Sequence, residues 1–334
     1  MKSTIKDVAR KANVSVATVS RVLNNLPGYS EDTKRTVLRV IEELKYQPNA
    51  IARGLINKRT QTIGVLFPSV SSAFSSEVLH GIEHFAHDEN YSIVVCNTAE
   101  DGRRTMKYLQ VLREKQVDGI IFSSEVLKEE YYEALKAMDV PVVLVATHSE
   151  YKSVPYVKVD DWKASYEATE YLIHKGHRQI AMIGGYEGDP IAGKPRIDGF
   201  KQALLDNGIT LRDELIFDGG FRFDQATVAA ENLLLTAPEV TAVFAASDEM
   251  AIALISVAAK HGISVPEQIS VIGYDNLKLA EMSNPPLTTI AQPLYKMGER
   301  AADKLISMIT SKERVVSEIV PHKIIERNTV RKLP

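Results

Sequence analysis

Two series of short apolar runs, separated by amphipathic helical segments, dominate the chain from residue 61 onward. The first series comprises residues 62–67, 92–96, 119–122 and 142–145, and the second comprises 180–183, 242–245 and 269–272. Because these runs are continuously apolar rather than alternating, both faces of each strand must be buried, as in parallel sheets covered by helices. Two series predict two lobes of doubly wound α/β architecture.

The composition is that of a folded globular chain. Its 334 residues are 45% hydrophobic and 25% charged, which is enough material for two or three cores. Cys96 is the single cysteine, which excludes an intrachain disulfide and a cysteine-rich metal site. The N-terminus leads into no apolar signal segment, and no apolar run approaches the roughly 20 residues that span a bilayer. We expect a cytoplasmic protein without a membrane segment, metal or cofactor.

Charge is divided unevenly along the chain. The first 60 residues carry 12 Lys and Arg against 5 Asp and Glu, a net charge of +7, whereas the remainder carries 28 against 38, a net charge of −10. A small basic segment on an acidic body indicates a polyanion-binding domain attached to a body with another role. A basic face that is merely solvated is the alternative.

Three short helices are predicted within the basic segment. Thr4 caps a first helix, Ser15 caps a second, and Ser30 caps a third whose apolar residues recur at i, i+3, i+4 and i+7. A helix, a tight turn and a second helix form the arrangement that inserts the second helix into the major groove of DNA. A three-helix module for protein contacts is the alternative.

The second helix carries most of the candidate DNA contacts. Its polar positions provide hydroxyl donors, a guanidinium that can reach a guanine edge, and an amide that can donate to the DNA backbone. Val16 and Ala17 face outward at its start, which suits contact with thymine methyl groups. The candidate DNA contacts in this part of the chain are Thr4, Ser15, Val16, Ala17, Thr18, Ser20, Arg21, Asn24 and Ser30.

The motifs TIKDVA at residues 4–9, VSVATVSRVLN at 14–24 and YQPNAIARGL at 46–55 resemble the headpiece and hinge of the lactose-repressor/galactose-repressor family. The resemblance runs the whole length of the chain. It implies a sequence-specific DNA-binding transcription regulator, a repressor and not an enzyme. The fold it implies is an all-α helix-turn-helix headpiece and a periplasmic-binding-protein-like α/β core of two doubly wound parallel-sheet lobes.

The hinge segment is expected to fold only when it meets DNA. Pro48 suits the first turn of a helix, but residues 50–55 give less than two turns, which is too short to be stable alone in water. In the family, the leucine at the position of Leu55 wedges into the central base step through the minor groove, with Asn49 and Ala52 beside it. The resemblance thus implies a palindromic operator with a central CG step. A flexible linker is the alternative.

The resemblance also implies boundaries and an effector site. It divides the chain into a headpiece (1–46), a hinge and linker (47–60), a first lobe (61–159 with 290–320) and a second lobe (160–289 with 321–334). Ligands of such folds bind at the carboxyl ends of the strands, here in the cleft between the lobes. The implied effector contacts are Phe74, Ser124, Asp160, Arg196, Phe221 and Asp275. Their charged groups and aromatic platform favour a sugar or sugar phosphate. A structural role for each residue is the alternative.

Two motifs suggest an enzyme, and both are incomplete. His80 and His84 flank Glu83 with the spacing of an inverted zinc-protease motif, but Gly81 weakens the helix and no third ligand is near. Residues 188–195 keep the G-x-x-x-x-G-K frame of a phosphate-binding loop, yet the final Ser or Thr is missing and Asp189 adds a negative charge. We expect a loop at the cleft entrance instead.

Other protein classes and partners follow from the same features. A solute-binding protein would need a signal peptide and no headpiece, and an enzyme with a DNA-binding appendage would need a reactive constellation in the cleft. A palindromic site requires a two-fold pair, and no C-terminal leucine heptad follows the predicted helix at 296–309, so we expect a homodimer. Residues 295–298 and Asp303 depart from the charge pattern that the catabolite-control subgroup presents to a phosphocarrier protein, which argues against that partner.

Overall fold

The computed structural model describes residues 3–23, 26–46, 59–99, 101–311 and 314–334. These residues fall into two compact units, Met1–Gln61 and Thr62–Pro334. None of the helices in these ranges is long and apolar enough to cross a membrane.

The described residues of the first unit form three helices, α1 (Ile5–Lys11), α2 (Val16–Leu23) and α3 (Glu31–Glu43). Two of them begin at the predicted caps, since Ser15 accepts a hydrogen bond from the Thr18 amide at 3.0 Å and Ser30 accepts one from the Thr33 amide at 3.2 Å. Asn13 makes the tight turn between α1 and α2 with a left-handed φ of 53°. The apolar stripes of the helices meet in one core formed by Val8, Ala9, Ala12, Val19, Val22, Val37 and Val40.

The first lobe of the second unit is built on one six-stranded sheet. Its elements are β1 (Thr62–Phe67), α4 (Ala73–Asp88), β2 (Ser92–Asn97), α5 (Thr105–Glu114), β3 (Gly119–Ser123), α6 (Glu129–Met138), β4 (Val142–Val145) and β5 (Tyr156–Lys158). Strand β11 (Glu318–Ile319) completes the order β11-β5-β4-β3-β1-β2, and all its pairings are parallel. Helices cover both faces, so β3 and β4 are buried along their whole length, as their apolar sequences predict.

The second lobe repeats this plan with a second six-stranded sheet of order β12-β10-β9-β8-β6-β7. Its elements are α7 (Asp161–His174), β6 (Ile180–Gly184), α8 (Gly193–Asp206), β7 (Ile216–Asp218), α9 (Phe223–Thr236), β8 (Ala242–Ala245), α10 (Asp248–Lys260), β9 (Ser270–Asp275), α11 (Lys278–Met282), β10 (Thr288–Ala291) and β12 (Lys323–Ile325). The edge strand β12 runs antiparallel to β10, and the other pairings are parallel.

The chain passes from the first sheet to the second after Lys158 and returns after Ala291, where α12 (Leu294–Thr310) packs on the first lobe. The predicted division places the end of this part of the second lobe at residue 289, whereas β10 pairs with β9 as far as Ala291. The other boundaries of the predicted division remain predictions.

Helices α4 and α12 cross in close contact at two glycines. A Cβ on Gly81 would overlap with the Tyr295 carbonyl oxygen, and a Cβ on Gly298 would overlap with the Val78 carbonyl oxygen. Gly81, which interrupts the zinc-protease motif in the sequence, therefore has a packing role.

Candidate functional site

A cavity of about 1210 Å³ opens between the two lobes of the second unit. Its walls are the loops that follow β1, β3 and β4 in the first lobe and β6, β7, β8 and β9 in the second. The carboxyl ends of parallel strands meet at one edge of each sheet, which places these loops opposite one another. The cavity therefore lies where the strand pattern of the sequence predicts a binding site.

Arg196, on α8, lies at the base of this cavity and is only 5% exposed. Its Nε and one terminal nitrogen donate to Asp161 Oδ1 at 3.0 and 2.9 Å, and the other terminal nitrogen donates to the Ala246 carbonyl at 2.6 Å. The guanidinium lies 3.7 Å from the ring centre of Tyr274 and 5.5 Å from that of Phe221. These contacts leave two of the five guanidinium N–H groups for a ligand.

Asp161 supplies the negative charge that balances Arg196. The same carboxylate accepts a hydrogen bond from the Tyr274 hydroxyl at 3.2 Å and forms an ion pair with Lys158 at 3.1 Å. Because the side chains of Asp161 and Arg196 are each only 7% exposed, their charges are paired in a poorly solvated environment.

Asp160 is a correction to the sequence analysis. It is exposed and does not line the cavity. Its carboxylate accepts a hydrogen bond from the Lys163 amide at 3.0 Å and caps α7. The residue that enters the cavity is its neighbour Asp161, because a capping side chain turns back toward the helix amides.

Asp275 ends β9 at the base of the cavity and is 5% exposed. Its Oδ1 accepts a hydrogen bond from Gln292 Nε2 at 2.7 Å. Burial raises the pKa of Asp275 to about 7, although Arg196 and the bond from Gln292 oppose the rise. Among the described residues no hydrogen bond reaches its Oδ2, so that oxygen can accept from a ligand hydroxyl.

The remaining predicted contacts also line the cavity. Phe74 and Ser124 are half-buried on the wall of the first lobe, and Phe221 is half-buried on that of the second. Ser124 and Phe221 have left-handed φ values of 53° and 56°, a conformation that non-glycine residues adopt at a cost and that is enriched at functional sites. The structure thus brings five of the six predicted residues to one cavity.

The structure adds cavity residues that the sequence analysis missed. Lys158 and Asp161 lie where the chain enters the second lobe, and Glu249 lies in the first turn of α10. Glu125 follows β3 and accepts hydrogen bonds from Thr98 and Thr105, while burial raises the pKa of its carboxyl group. The position of Glu125 directly after a strand-end serine pair was a usable signal for its place in the wall.

The headpiece presents the start of α2 to solvent. Ser15, Val16, Ala17 and Arg21 are exposed, and the Val16 side chain is 42% exposed although it is apolar. Several of the side chains predicted to donate hydroxyl groups to DNA also have a role in the fold. Ser15 and Ser30 cap helices, and Thr4 donates a hydrogen bond to Asp7. Thr18 and Ser20 are half-buried. Asn24, Asn49, Ala52 and Leu55 lie outside the described residues.

The two enzyme-like motifs have structural explanations. His84 Nδ1 lies 2.6 Å from the Tyr295 hydroxyl on the exposed side of α4, and no group of three potential metal ligands occurs in the described ranges. At the start of α8, the Asp189 carboxylate accepts hydrogen bonds from the amides of Ile191, Ala192 and Gly193 at 2.9, 3.2 and 2.9 Å. The protein's own carboxylate therefore occupies the place that a phosphate would take.

Two models of known protein families match this chain, one over each of its two units. Residues 4–49 match the bacterial regulatory proteins of the lacI family, and residues 60–328 match the periplasmic binding proteins and sugar binding domain of the LacI family. The chain belongs to the LacI family. The predicted family and fold class are therefore confirmed.

Curated LacI-family relatives match over nearly the whole chain. Catabolite control protein A of Priestia megaterium is 40% identical over 333 residues, covering 99% of this chain and 100% of that protein. The transcriptional repressor PurR of Vibrio atlanticus is 40% identical over 334 residues, covering 99% of each. Because these relatives are transcriptional regulators, the prediction of a DNA-binding regulator and not an enzyme is confirmed.

Solved LacI-family structures agree with the fold. The lac repressor dimer bound to operator and the anti-inducer ONPF is similar with a TM-score of 0.89 and 26% identity, covering 99% of this chain and 100% of that one. The complex of the transcriptional regulator CelR with cellobiose is similar with a TM-score of 0.75 and 31% identity, covering 98% and 100%.

Proposed function

We propose that this LacI-family regulator is a repressor that binds a palindromic operator as a homodimer and is controlled by a sugar or sugar phosphate in the interlobe cleft. The observation that carries the proposal is the base of the cavity. There a buried guanidinium with unused N–H groups lies beside the buried carboxylate of Asp275, whose Oδ2 is free to accept a hydrogen bond. Such a pair, next to the Phe221 ring, matches the hydroxyl groups and apolar face of a sugar.

The DNA-binding half of the proposal rests on α2 and on the family. Small exposed apolar side chains at Val16 and Ala17 and the exposed Arg21 suit the major groove. The similar lac repressor is a dimer bound to operator, which supports a two-fold arrangement here. Two details of operator binding remain predictions, namely the central CG step and the minor-groove contacts of Asn49, Ala52 and Leu55. The cytoplasmic location of the protein is also a prediction.

Ligand binding in the cleft and DNA binding by the headpiece are thermodynamically linked in the proposed mechanism. A ligand that binds one arrangement of the lobes more tightly than the other shifts their equilibrium, and DNA affinity changes with it. The similar CelR structure is a complex with cellobiose, and a similar LacI-family regulator from Enterococcus faecium has bound ribose, which supports a saccharide ligand for this cleft. The departures at residues 295–298 and at Asp303 remain our reason for predicting no phosphocarrier partner.

The test is selection of bound duplexes from a random pool by the purified full chain at a fixed, stated salt concentration, because phosphate contacts dominate affinity. We expect a palindrome with a central CG step. Arg21→Ala should weaken binding to that site by about 5- to 150-fold and relax one base position, since a lost guanine contact costs about 1–3 kcal/mol.

Arg113→Ala, which removes the same charge from an exposed position of the core, is the matched control. It should leave binding unchanged. Salt-sensitive binding without a consensus sequence would contradict the proposal.

A further inference from the structure

We infer that the ligand of the cleft is an uncharged oligosaccharide of at least two rings, and that phosphorylated sugars are excluded. This inference rests on the proposed function, because it concerns the ligand of the same cavity. It is carried by three observations, namely the occupied helix N-termini, the sign of the charge on the walls, and an aromatic wall that continues to the mouth of the cavity.

The N-termini of helices α7 and α8 lie at the cavity. Backbone amides at a helix N-terminus attract an anion when they have no other partner. At α8, Asp189 already accepts hydrogen bonds from three backbone amides. At α7, Asp160 accepts one from the Lys163 amide, and Asp161 adds a second carboxylate in the first turn. A phosphate would therefore have to displace fixed carboxylates at both helix ends.

The N-termini of α9, α10 and α4 also donate backbone hydrogen bonds to side chains of the protein. The Glu249 carboxylate, in the first turn of α10, accepts a hydrogen bond from the amide of Phe223, the first residue of α9. Ser247 caps α10 by accepting from the Met250 amide at 3.2 Å, and Ser72 caps α4 by accepting from the Ser75 amide at 3.1 Å. Each of these helix starts therefore already has a backbone amide that donates to one of the protein's own side chains.

Acidic side chains outnumber basic ones on the cavity wall, although burial raises the pKa of two of them, Glu125 and Asp275. Seven carboxylate residues line it against four cationic ones, Lys128, Lys158, Arg196 and Arg222. Lys158 and Arg196 both pair with Asp161, and Arg222 pairs with Asp224 at 3.1 Å. The exposed Lys128 lies 5.2 Å from the ring centre of Tyr131. A dianionic ligand would meet repulsion here that a neutral ligand avoids.

The base of the cavity suits neutral hydroxyl groups. Arg196 has two N–H groups left to donate, and Asp275 Oδ2 can accept, so together they can bind the oxygen and the proton of adjacent sugar hydroxyls. Ser69, Ser71 and Ser124 add uncharged hydroxyl groups from the wall of the first lobe. These groups recognise a sugar ring without requiring a net charge on it.

The length of the ligand follows from the cavity and its aromatic wall. A volume of about 1210 Å³ exceeds the roughly 300–1,000 Å³ of a pocket for one drug-sized molecule. Exposure along the second lobe rises from the half-buried Phe221 to Phe223 at 43% and Tyr186 at 65%.

The rings of Phe221 and Tyr186 lie on glycines, because a Cβ on Gly185 or Gly188, respectively, would overlap with them. These preorganised rings offer stacking surfaces beyond the first sugar ring.

The experiment measures binding of glucose, cellobiose, maltose, lactose and maltotriose, with glucose 6-phosphate as the anionic probe, to the full chain by thermal shift and calorimetry. We expect at least one disaccharide or trisaccharide to raise Tm and glucose 6-phosphate to have no effect at the same concentration. Tyr186→Ala should weaken the longer ligand about tenfold, or about 1.4 kcal/mol, through the loss of ring stacking. Its effect on glucose should stay below twofold.

Leu235→Ala is the matched control, since Leu235 is 81% exposed on the same lobe and does not line the cavity. It should bind every probe as the unaltered chain does. Tighter binding of glucose 6-phosphate than of glucose, or a panel in which no neutral saccharide raises Tm, would overturn the inference. If glucose 6-phosphate did bind and Arg196→Ala abolished that binding, the cleft would remain the effector site and only the inferred ligand class would be wrong. Operator selection tests the regulator proposal independently.

Discussion

Replacing Asp161 by asparagine removes the negative charge shared by three donors at the base of the cavity while keeping the shape of the side chain. Arg196 donates two hydrogen bonds to this carboxylate, and Tyr274 and Lys158 contact it at 3.2 and 3.1 Å. The variant leaves a buried guanidinium without its nearest counter-charge. Breaking one side of a buried ion pair costs about 3–5 kcal/mol, so the free energy of unfolding should fall by about that amount.

The assay is urea unfolding followed by far-UV circular dichroism and by the fluorescence of Trp162. Trp162 is the single tryptophan of the chain and lies in the first turn of α7, so its signal reports the second lobe. With a urea m-value of about 3 kcal/mol/M, the midpoint should fall by about 1 to 1.7 M.

Asp160→Asn is the matched control, since Asp160 is the exposed cap of α7 and asparagine caps a helix as well as aspartate does. Its free energy of unfolding should change by less than about 0.5 kcal/mol. If Asp161→Asn were as stable as this control, the assignment of Asp161 as the counter-charge of Arg196 would be refuted.

The pKa of Asp275 is about 7 in the folded chain, above its ordinary value of 3.8, so its contribution to stability is complete at acid pH and is lost as the pH rises through 7. Unfolding in urea at a series of pH values should therefore show the unaltered chain losing up to about 4 kcal/mol relative to Asp275→Asn between about pH 4 and 7, and parallel pH profiles would contradict this. Gly298→Ala places a Cβ against the Val78 carbonyl oxygen and should lower the free energy of unfolding by about 1–3 kcal/mol, whereas Lys296→Ala on the exposed side of the same helix should change it by less than about 0.5 kcal/mol. Equal stability of these two variants would show that the helices separate without cost.

The strands and the helix caps could be predicted from the sequence because their signals are local. Residues 119–122 and 142–145 are continuously apolar, and the structure buries β3 and β4 on both faces. Ser15 and Ser30 are good capping residues in front of amphipathic segments, and both accept a hydrogen bond from an amide three residues later. Strand-end positions likewise brought Arg196, Phe221 and Asp275 into the predicted site, with the family resemblance naming the individual residues.

The features that the sequence did not predict depend on tertiary contacts. Which of Asp160 and Asp161 faces the cavity depends on where α7 begins, and a shift of one residue exchanges a cap for a buried ion pair. The packing of Gly81 against Tyr295 joins two segments more than 200 residues apart, so no local pattern reveals it. The role of Asp189 in occupying the start of α8 depends on the fold of its own loop.

Control of DNA binding by the cleft is tested by the affinity of the full chain for its selected operator, measured with and without a saturating cleft ligand. Linkage between the cleft and the headpiece predicts a change of about 5- to 150-fold, the range of a coupling free energy of about 1–3 kcal/mol, and an equal change in ligand affinity when operator is present. Arg196→Ala, assayed under conditions in which circular dichroism shows it to be folded, should bind the operator normally and lose the response. An operator affinity that stays within twofold, while calorimetry shows the ligand bound, would contradict control of DNA binding by the cleft.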